Sequence, residues 1–208
     1  MTRFCIASSF IGLAALAGCA EVPGTPLADR TAQTGWRAAA MQADADRLRG
    51  MRATFLDARA EAVAAGYGDQ IETLGAIADP DAALQLGSLP DGTFRCRTIK
   101  LGSRNGTLAY VDYPFFQCRI RPEGAVHGFA KVTGSQRQVG LLFPDDAYRA
   151  VFLGTLVLGD EDRAMRYGAD PERDVIGAFQ RIGENEYRLL IPEPRYESQL
   201  DIIHLVQE

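Results

Sequence analysis

Apolar residues follow three patterns along the chain, one after another. Phe4 to Ala17 is an unbroken run of apolar and small residues without a charge. Further on, Leu48, Met51, Phe55, Ala58 and Ala62 return at every third or fourth position. From Thr93 onward, short runs of β-branched, leucine and aromatic residues recur between turn signals, roughly every ten residues. Each pattern predicts a different element.

The three-and-four spacing is the stripe of one helix face. Asp46, Arg47, Arg52, Asp57, Arg59 and Glu61 fall largely off it. Gly50 costs up to ~1 kcal/mol against alanine inside a helix and marks an expected break. Gly66 and Gly68 mark the expected end. Asp69 and Glu72 then stand at capping-box spacing before Ile71, Leu74 and Ile77, which predicts a short second helix stopped at Asp79-Pro80. Residues 36–85 are the helical part. A stripe of this kind packs on a core.

The later runs predict strands. They are TFRCRTIKL, LAYVDYPFFQCRIR, GFAKVTG, QVGLLF, RAVFLGTLVLG, DVIGAFQRIG, EYRLLIP and LDIIHLVQ. Asn105-Gly106, Pro122-Glu123-Gly124, Pro144-Asp145-Asp146 and Gly183-Glu184-Asn185 are the turns between them, and Asn-Gly is the strongest short hairpin signal. The connections are too short for parallel crossovers, so the sheet is expected to be antiparallel. Val151, Leu153 and Val157 alternate with Phe152, Leu156 and Leu158, so one strand is apolar on both faces. One face needs an interior and the other a cover. The expected fold is mainly β (α+β), with N-terminal helices packed on an antiparallel barrel-like or strongly curved sheet of about eight strands over 93–208. Residues 36–208 form one domain.

The first pattern is an address. Arg3 gives a basic start, and Phe4 to Ala17 has the length of a signal-peptide core, short of the ~20 residues of a spanning helix. Leu16-Ala17-Gly18-Cys19 resembles a bacterial lipobox. That resemblance implies a signal peptide over 1–18, a diacylglycerol on Cys19 and acylation of the new amine. The alternative is an ordinary secretory signal with a chance cysteine. Cys5 falls in the removed segment. Several acyl chains on one residue anchor stably, at roughly 0.8 kcal/mol per buried CH₂. Residues 19–35, with Pro23, Gly24 and Pro26, read as the lipidated cysteine and a flexible linker. The expected location is the cell envelope, lipid-anchored and facing the periplasm. Ala20 after the cysteine favours the outer membrane over the inner one, by resemblance to enteric lipoproteins.

Charge narrows the partners. The whole chain carries a net −5, which argues against nucleic acid and against electrostatic binding to anionic lipid. Basic residues are almost all arginine; Lys100 and Lys131 are the only lysines. Two explanations fit, bidentate anion sites and the codon bias of a GC-rich genome, and composition favours the second.

Cys96 and Cys118 stand in strand-like runs on either side of Asn105-Gly106. In an oxidising compartment they read as a disulfide closing a loop of about 22 residues, which the chain-entropy model values at about 3 kcal/mol. A metal or redox pair is the rival, but there is no Cys-x-x-Cys, and His127 and His204 are isolated in sequence.

The runs FRCRTIKLG, YPFFQCRI, KVTGSQRQVG, VFLGTLVLGDE, YGADPERDVIGAFQRIG and PEPRYESQLDIIHL, in that order, resemble the proteobacterial domain-of-unknown-function family numbered 4893. The resemblance spans roughly Trp36 to Val206. It implies one domain in a small exported, often lipoprotein-type protein, and carries no catalytic residue with it.

Candidate chemistry is sparse. Thr133-Gly134-Ser135-Gln136 reads as a turn rather than a serine-hydrolase elbow. His204 alternates with Leu200, Ile202 and Val206, as a hydrogen-bonded core histidine would. Asp160, Glu161 and Asp162 lack the ligand spacing of a calcium loop and read as a solvated loop. Glu193, Arg195 and Glu197 in IPEPRYES either gather charge at a barrel mouth or form a rigid proline turn. There is no P-loop, dinucleotide fingerprint or paired-histidine zinc motif, so no cofactor and no metal are expected. Two functions fit: a non-catalytic binding module for a small apolar ligand, lipid or peptide, and a structural lipoprotein docking onto another envelope protein. Interior volume separates them. A barrel filled by Phe115, Phe116, Phe129, Phe143, Phe152 and Phe179 has no room for a ligand, whereas an open interior with polar groups at one end favours binding. The lipobox reading yields a first test. Cys19→Ser is expected to leave the signal uncut or to release the domain from membranes, as read by intact mass and fractionation. Processed, membrane-bound Cys19→Ser protein would overturn it.

Overall fold

The computed structural model describes residues 35–106 and 108–208. The expected leader, Cys19 and the linker up to residue 34 lie outside the described residues. A helical turn over residues 35–39 leads into helix α1 (Gln42–Ala62). Leu48, Met51, Phe55, Ala58 and Ala62 are all buried, as the stripe requires. Gly50 does not break the helix. It has open space where a side chain would stand, and burial of the stripe outweighs its propensity cost of ~1 kcal/mol. Gly66 does end the regular geometry of the helix, as expected, because the backbone there is left-handed. The chain passes through Gly66 at φ +96° in a π turn (Val63–Tyr67) and continues as α2 (Gly68–Thr73) and a 3₁₀ turn (Gly75–Ala78). Ile71, Leu74 and Ile77 keep the apolar face going and are buried. Asp69 lies in the first turn of α2, where it makes no capping bond.

Nine strands follow: β1 (Gly92–Ser103), β2 (Tyr110–Asp112), β3 (Phe116–Glu123), β4 (Val126–Lys131), β5 (Gln136–Pro144), β6 (Ala150–Leu158), β7 (Asp174–Arg181), β8 (Glu186–Pro192) and β9 (Ser198–Gln207). All eight predicted runs form strands, and the run from Leu108 divides into β2 and β3. Every pairing is antiparallel, and β9 returns to β1 from Phe94↔Gln207 to Ser103↔Ser198. Eight strands therefore close into a barrel. β2 is the extra strand. It continues the same side of β1, which pairs with β3 over residues 92–96 and with β2 over residues 99–101.

Closure sorts the side chains into two cores. Phe94, Phe129, Phe152, Phe179, Leu189 and Ile203 belong to the interior. Ile99, Leu101, Val151, Ile176, Leu200 and Ile202 face outward and pack with the helices. Strand β6 is apolar on both faces for this reason. Arg188, fully buried on the outer face, fastens the two layers together. It donates to the carbonyls of Ala76, Ile77 and Asp79 at 2.9, 3.0 and 2.6 Å and to Gln180 Oε1 at 3.0 Å. A cation at carbonyls that lack helical partners is favourable in both hydrogen bonding and dipole. Burial pushes the guanidinium down to about 10, so it stays charged at neutral pH.

Cys96 and Cys118 are joined. They stand diagonally across β1 and β3, where Phe94 faces Cys118 and Cys96 faces Phe116, and both lie in the interior core. The barrel also needs a tight corner. Gly140 faces Gly154 across β5 and β6. A Cβ on Gly140 would stand 2.2 Å from the Leu153 carbonyl oxygen and 2.4 Å from the Gly154 Cα. These are backbone atoms of the next strand and cannot rotate away. Gly140→Ala is therefore expected to cost about 3 kcal/mol of stability, read as a lowered urea midpoint. A change below about 0.5 kcal/mol, the usual range at an unremarkable surface site, would refute the corner.

Candidate binding site at the polar mouth of the barrel

Side chains alternate in a strand, so every second residue of a barrel strand faces inward. Reading those positions along four strands shows one trend. β1 runs Phe94, Cys96, Thr98, Lys100; β9 runs Leu205, Ile203, Asp201; β4 runs Phe129, Lys131; β5 runs Leu142, Gly140, Gln138, Gln136. Each starts apolar and ends polar at the same end of the barrel. The interior is thus an apolar half beneath a polar half.

The apolar half is full. Phe179 and Phe94 pack on Tyr187 with ring centroids 5.5 and 6.1 Å away, and Phe129 meets Phe152 at 5.5 Å. Leu86, on the connector before β1, joins this cluster. Of the six candidate fillers, Phe129, Phe152 and Phe179 do fill. Phe116 is half-buried at the polar end. Phe143 points outward into the helix-covered core. Phe115 is exposed, with Arg95 and Arg97 over its ring at 4.9 and 5.4 Å.

The polar half is hollow. Lys100 and Asp201 face each other directly across the β1–β9 seam. The Lys100 ammonium lies 3.2 Å from both carboxylate oxygens and 3.3 Å from Glu197. Asp201 also accepts the Ser198 hydroxyl. Lys131 donates to the Gln136 carbonyl at 3.0 Å and to Thr98 Oγ1 at 3.3 Å, and lies 4.4 Å over the Phe116 ring. Two small cavities of about 20 and 70 Å³ adjoin these groups, with Lys100, Gln136 and Gln138 lining both. Gln136 also lines an open vestibule of about 550 Å³, bordered by Arg104, Arg195, Tyr196 and Glu197. Gln136 is the residue that the vestibule shares with both cavities.

Burial and charge set the protonation of this cluster. Burial pushes the Lys100 ammonium down, but the Asp201 and Glu197 carboxylates together carry it above its ordinary value. Burial pushes the Asp201 carboxyl up, against the pull of Lys100 and Ser198. Direct cross-strand contact keeps the two an ion pair. Lys131 has no carboxylate partner of its own, and burial brings it down to about 8.

The other candidates come out as follows. Arg195 and Glu197 border the mouth, where Glu197 reaches Lys100 and Arg195 pairs with Glu172, whereas Glu193 is held through its backbone, its carbonyl accepting from Arg47. Thr133 to Ser135 form the β4–β5 turn, with Gly134 at φ +96°. His204 lies on the outer face with Leu200 and Ile202, yet neither ring nitrogen has a hydrogen-bond partner; the Glu186 carboxylate stops 3.8 Å from Nε2. In the register His204 stands between Arg97 and Arg188, and the hydrogen bond expected of it is not made. Burial lowers its pKa. His127 is on β4, separated from β9 by β3 and β1. The acidic loop is only partly solvated. Glu161 holds Arg173 at 2.9 and 3.0 Å and accepts the Leu158 amide, which latches the loop to the barrel. Among the described residues no group of three or more His, Cys, Asp and Glu side chains is placed to hold a metal.

Sequence reasoning missed Lys100, Lys131, Gln138 and Asp201. A signal was available, because Lys100 shares its strand face with Cys96, and Asp201 shares its face with Ile203 and Leu205. The depressed Lys131 gives a second test. A lysine held near pKa 8 when folded and near 10.5 when unfolded destabilises the fold fully below pH 8, and the penalty fades as pH rises toward 10.5. Lys131→Met is expected to be more stable than the native chain at pH 7 by about 3 kcal/mol. The advantage is expected to shrink steadily between pH 8 and 10 in urea melts. A constant difference across that window would show that Lys131 titrates normally.

No curated protein and no solved structure matches the chain. Residues 36–205, from the start of the helical layer to the last turn of the closing strand, match the model of the family described as Domain of unknown function (DUF4893). The chain belongs to that family.

Proposed function

We propose that the protein is a lipid-anchored component of the bacterial cell envelope, facing the periplasm, whose barrel is a non-catalytic binding module. One observation carries the binding part of this reading. The barrel is packed with aromatic rings at one end and hollow, polar and connected to solvent at the other. The ligand is therefore a small polar molecule at the mouth, and an apolar molecule or lipid inside the barrel fits poorly because the apolar half has no free volume. The absence of covalent chemistry rests on the spent thiols, the separation of the two histidines and the pairing of Asp201 with Lys100. The anchoring part rests on the lipobox-like Leu16 to Cys19 stretch alone.

A second reading, docking onto another envelope protein, has its own support. An apolar groove of about 340 Å³ runs along the outer wall of β5 and β6, bordered by Ala39, Leu141, Phe143, Leu153 and Met165. Mild extraction of the full-length protein from its native membranes, followed by native mass spectrometry, tests both. A bound small polar molecule that is lost when Lys131 is changed supports the module. A stoichiometric protein partner with an unoccupied mouth favours docking. Turnover of an envelope compound would refute the non-catalytic reading.

A further inference from the structure

The charges around the polar mouth do not cancel. The 70 Å³ cavity is lined by both lysines and by neutral side chains, and no carboxylate borders it. These two are the only lysines of a chain that is net negative and otherwise uses arginine. Lys100 has its counter-ions, Asp201 and Glu197. Lys131 has only a carbonyl, a hydroxyl and the Phe116 ring. Among the described residues no acidic oxygen lies within ion-pair distance of it. A buried ammonium with neutral partners alone carries an uncompensated desolvation cost, which an anion would offset.

Gln138 is a second, independent pointer. It is 4% exposed, borders both cavities, and its side-chain oxygen has no hydrogen-bond partner. A half-turn of the amide presents two N–H donors in place of that oxygen. The vestibule carries Arg104, Arg195 and Glu197, of which Arg195 is paired with Glu172 and Glu197 with Lys100. The cavity has room for roughly five water-sized groups, the size of a small oxyanion and too small for a sugar or a nucleotide.

We propose that this cavity binds a small oxyanion, a carboxylate or a tetrahedral oxyanion, held by the Lys131 ammonium with Gln138 and Thr98. The proposal rests on the reading of the mouth as the binding end. The other titratable groups facing the cluster are Lys100, Asp201, Glu197 and Tyr113, with Arg47, Glu172, Arg173, Asp174, Arg195 and Tyr196 across the adjoining 20 Å³ cavity. Of these, Lys100 and its two carboxylates are already paired.

Two lysines in the whole chain make the test clean. Full-length protein labelled with ¹⁵N only in lysine is titrated with sulfate and with acetate, against chloride at matched ionic strength. The Lys131 side-chain resonance is expected to move saturably with an oxyanion and to shift its own titration upward. Affinity is expected to weaken about tenfold per pH unit as pH rises from the depressed titration point of Lys131 in the free protein, about 8, toward its higher titration point in the complex. Lys131→Met is expected to weaken sulfate or acetate binding at least tenfold, with the Lys100 resonance reporting that the barrel remains folded. Gln138→Leu, which leaves both lysines in place, is expected to weaken it severalfold. Equal responses to chloride, or no saturable response to either oxyanion, would overturn the proposal. An uncharged molecule recovered at the mouth from native membranes would also overturn it, and would leave the binding-module reading standing.

Discussion

The ion pair between Lys100 and Asp201 sits on the seam where the sheet becomes a barrel. Closing β9 onto β1 requires one register out of several. Alternation of apolar and polar residues rejects a slip by one, because it would turn Ile203 and Leu205 out and Leu200 and Ile202 in. A slip by two keeps every side chain on its proper face, so alternation does not reject it. The ion pair does. Such a slip would part Lys100 from Asp201 and leave two buried charges without partners, a loss of several kcal/mol. A buried pair adds little to stability compared with an apolar pair of the same size. Its value here is that the seam closes in one way, and every inward-facing list in the barrel follows from that closure.

The second constraint is that a barrel of apolar strands has an outside. Ile99, Leu101, Ile176, Leu200 and Ile202 would be exposed without the helices. The stripe of α1 covers them, and Arg188 fixes where the helical layer stops by drawing three of its last carbonyls onto β8. Trp36 secures the other end, donating to Asp145 in the β5–β6 turn at 2.7 Å. The helical layer is thus held by polar contacts at both ends and by apolar contacts between them. That division explains why Gly50 does not break α1 and why the layer carries on past the left-handed kink at Gly66: position is set by the barrel beneath, and local propensity is the weaker term.

Much of this was legible in the sequence, and the limits have physical causes. Strand runs were readable because turns such as Pro144-Asp145-Asp146 punctuate them. The cysteine pair was readable because Cys96 and Cys118 are the only cysteines of the sequence from residue 36 onward, in two neighbouring strand-like runs. The double-sided character of β6 correctly called for an interior and a cover. Three features were hidden. The long β1 serves β3 and β2 in succession, and nothing local in its residues announces two partners. Which phenylalanines face inward depends on register, so Phe143 and Phe129 look alike until the barrel closes. The two lysines look like a compositional accident. Only their shared facing with Phe94, Cys96 and Phe129 reveals that the rarest cation of the chain is used twice in one interior.

The position of the mouth bears on what reaches it. Trp36 meets the β5–β6 turn, where β5 ends and β6 begins. The mouth is formed at the opposite ends of those strands, by Gln136 and Leu158. The chain therefore enters the described domain at the filled end of the barrel, and the hollow end lies across the domain from that point. On the proposed anchoring through Cys19, the linker would therefore attach at the filled end, and the mouth would be left clear of the point of attachment. A dissolved oxyanion entering at the mouth would pass Arg104 and Glu197, with Arg195 already paired to Glu172. Selection therefore falls to the interior: the packed end admits nothing, and the proposed ligand is one whose charge completes the hollow end that the closing seam creates.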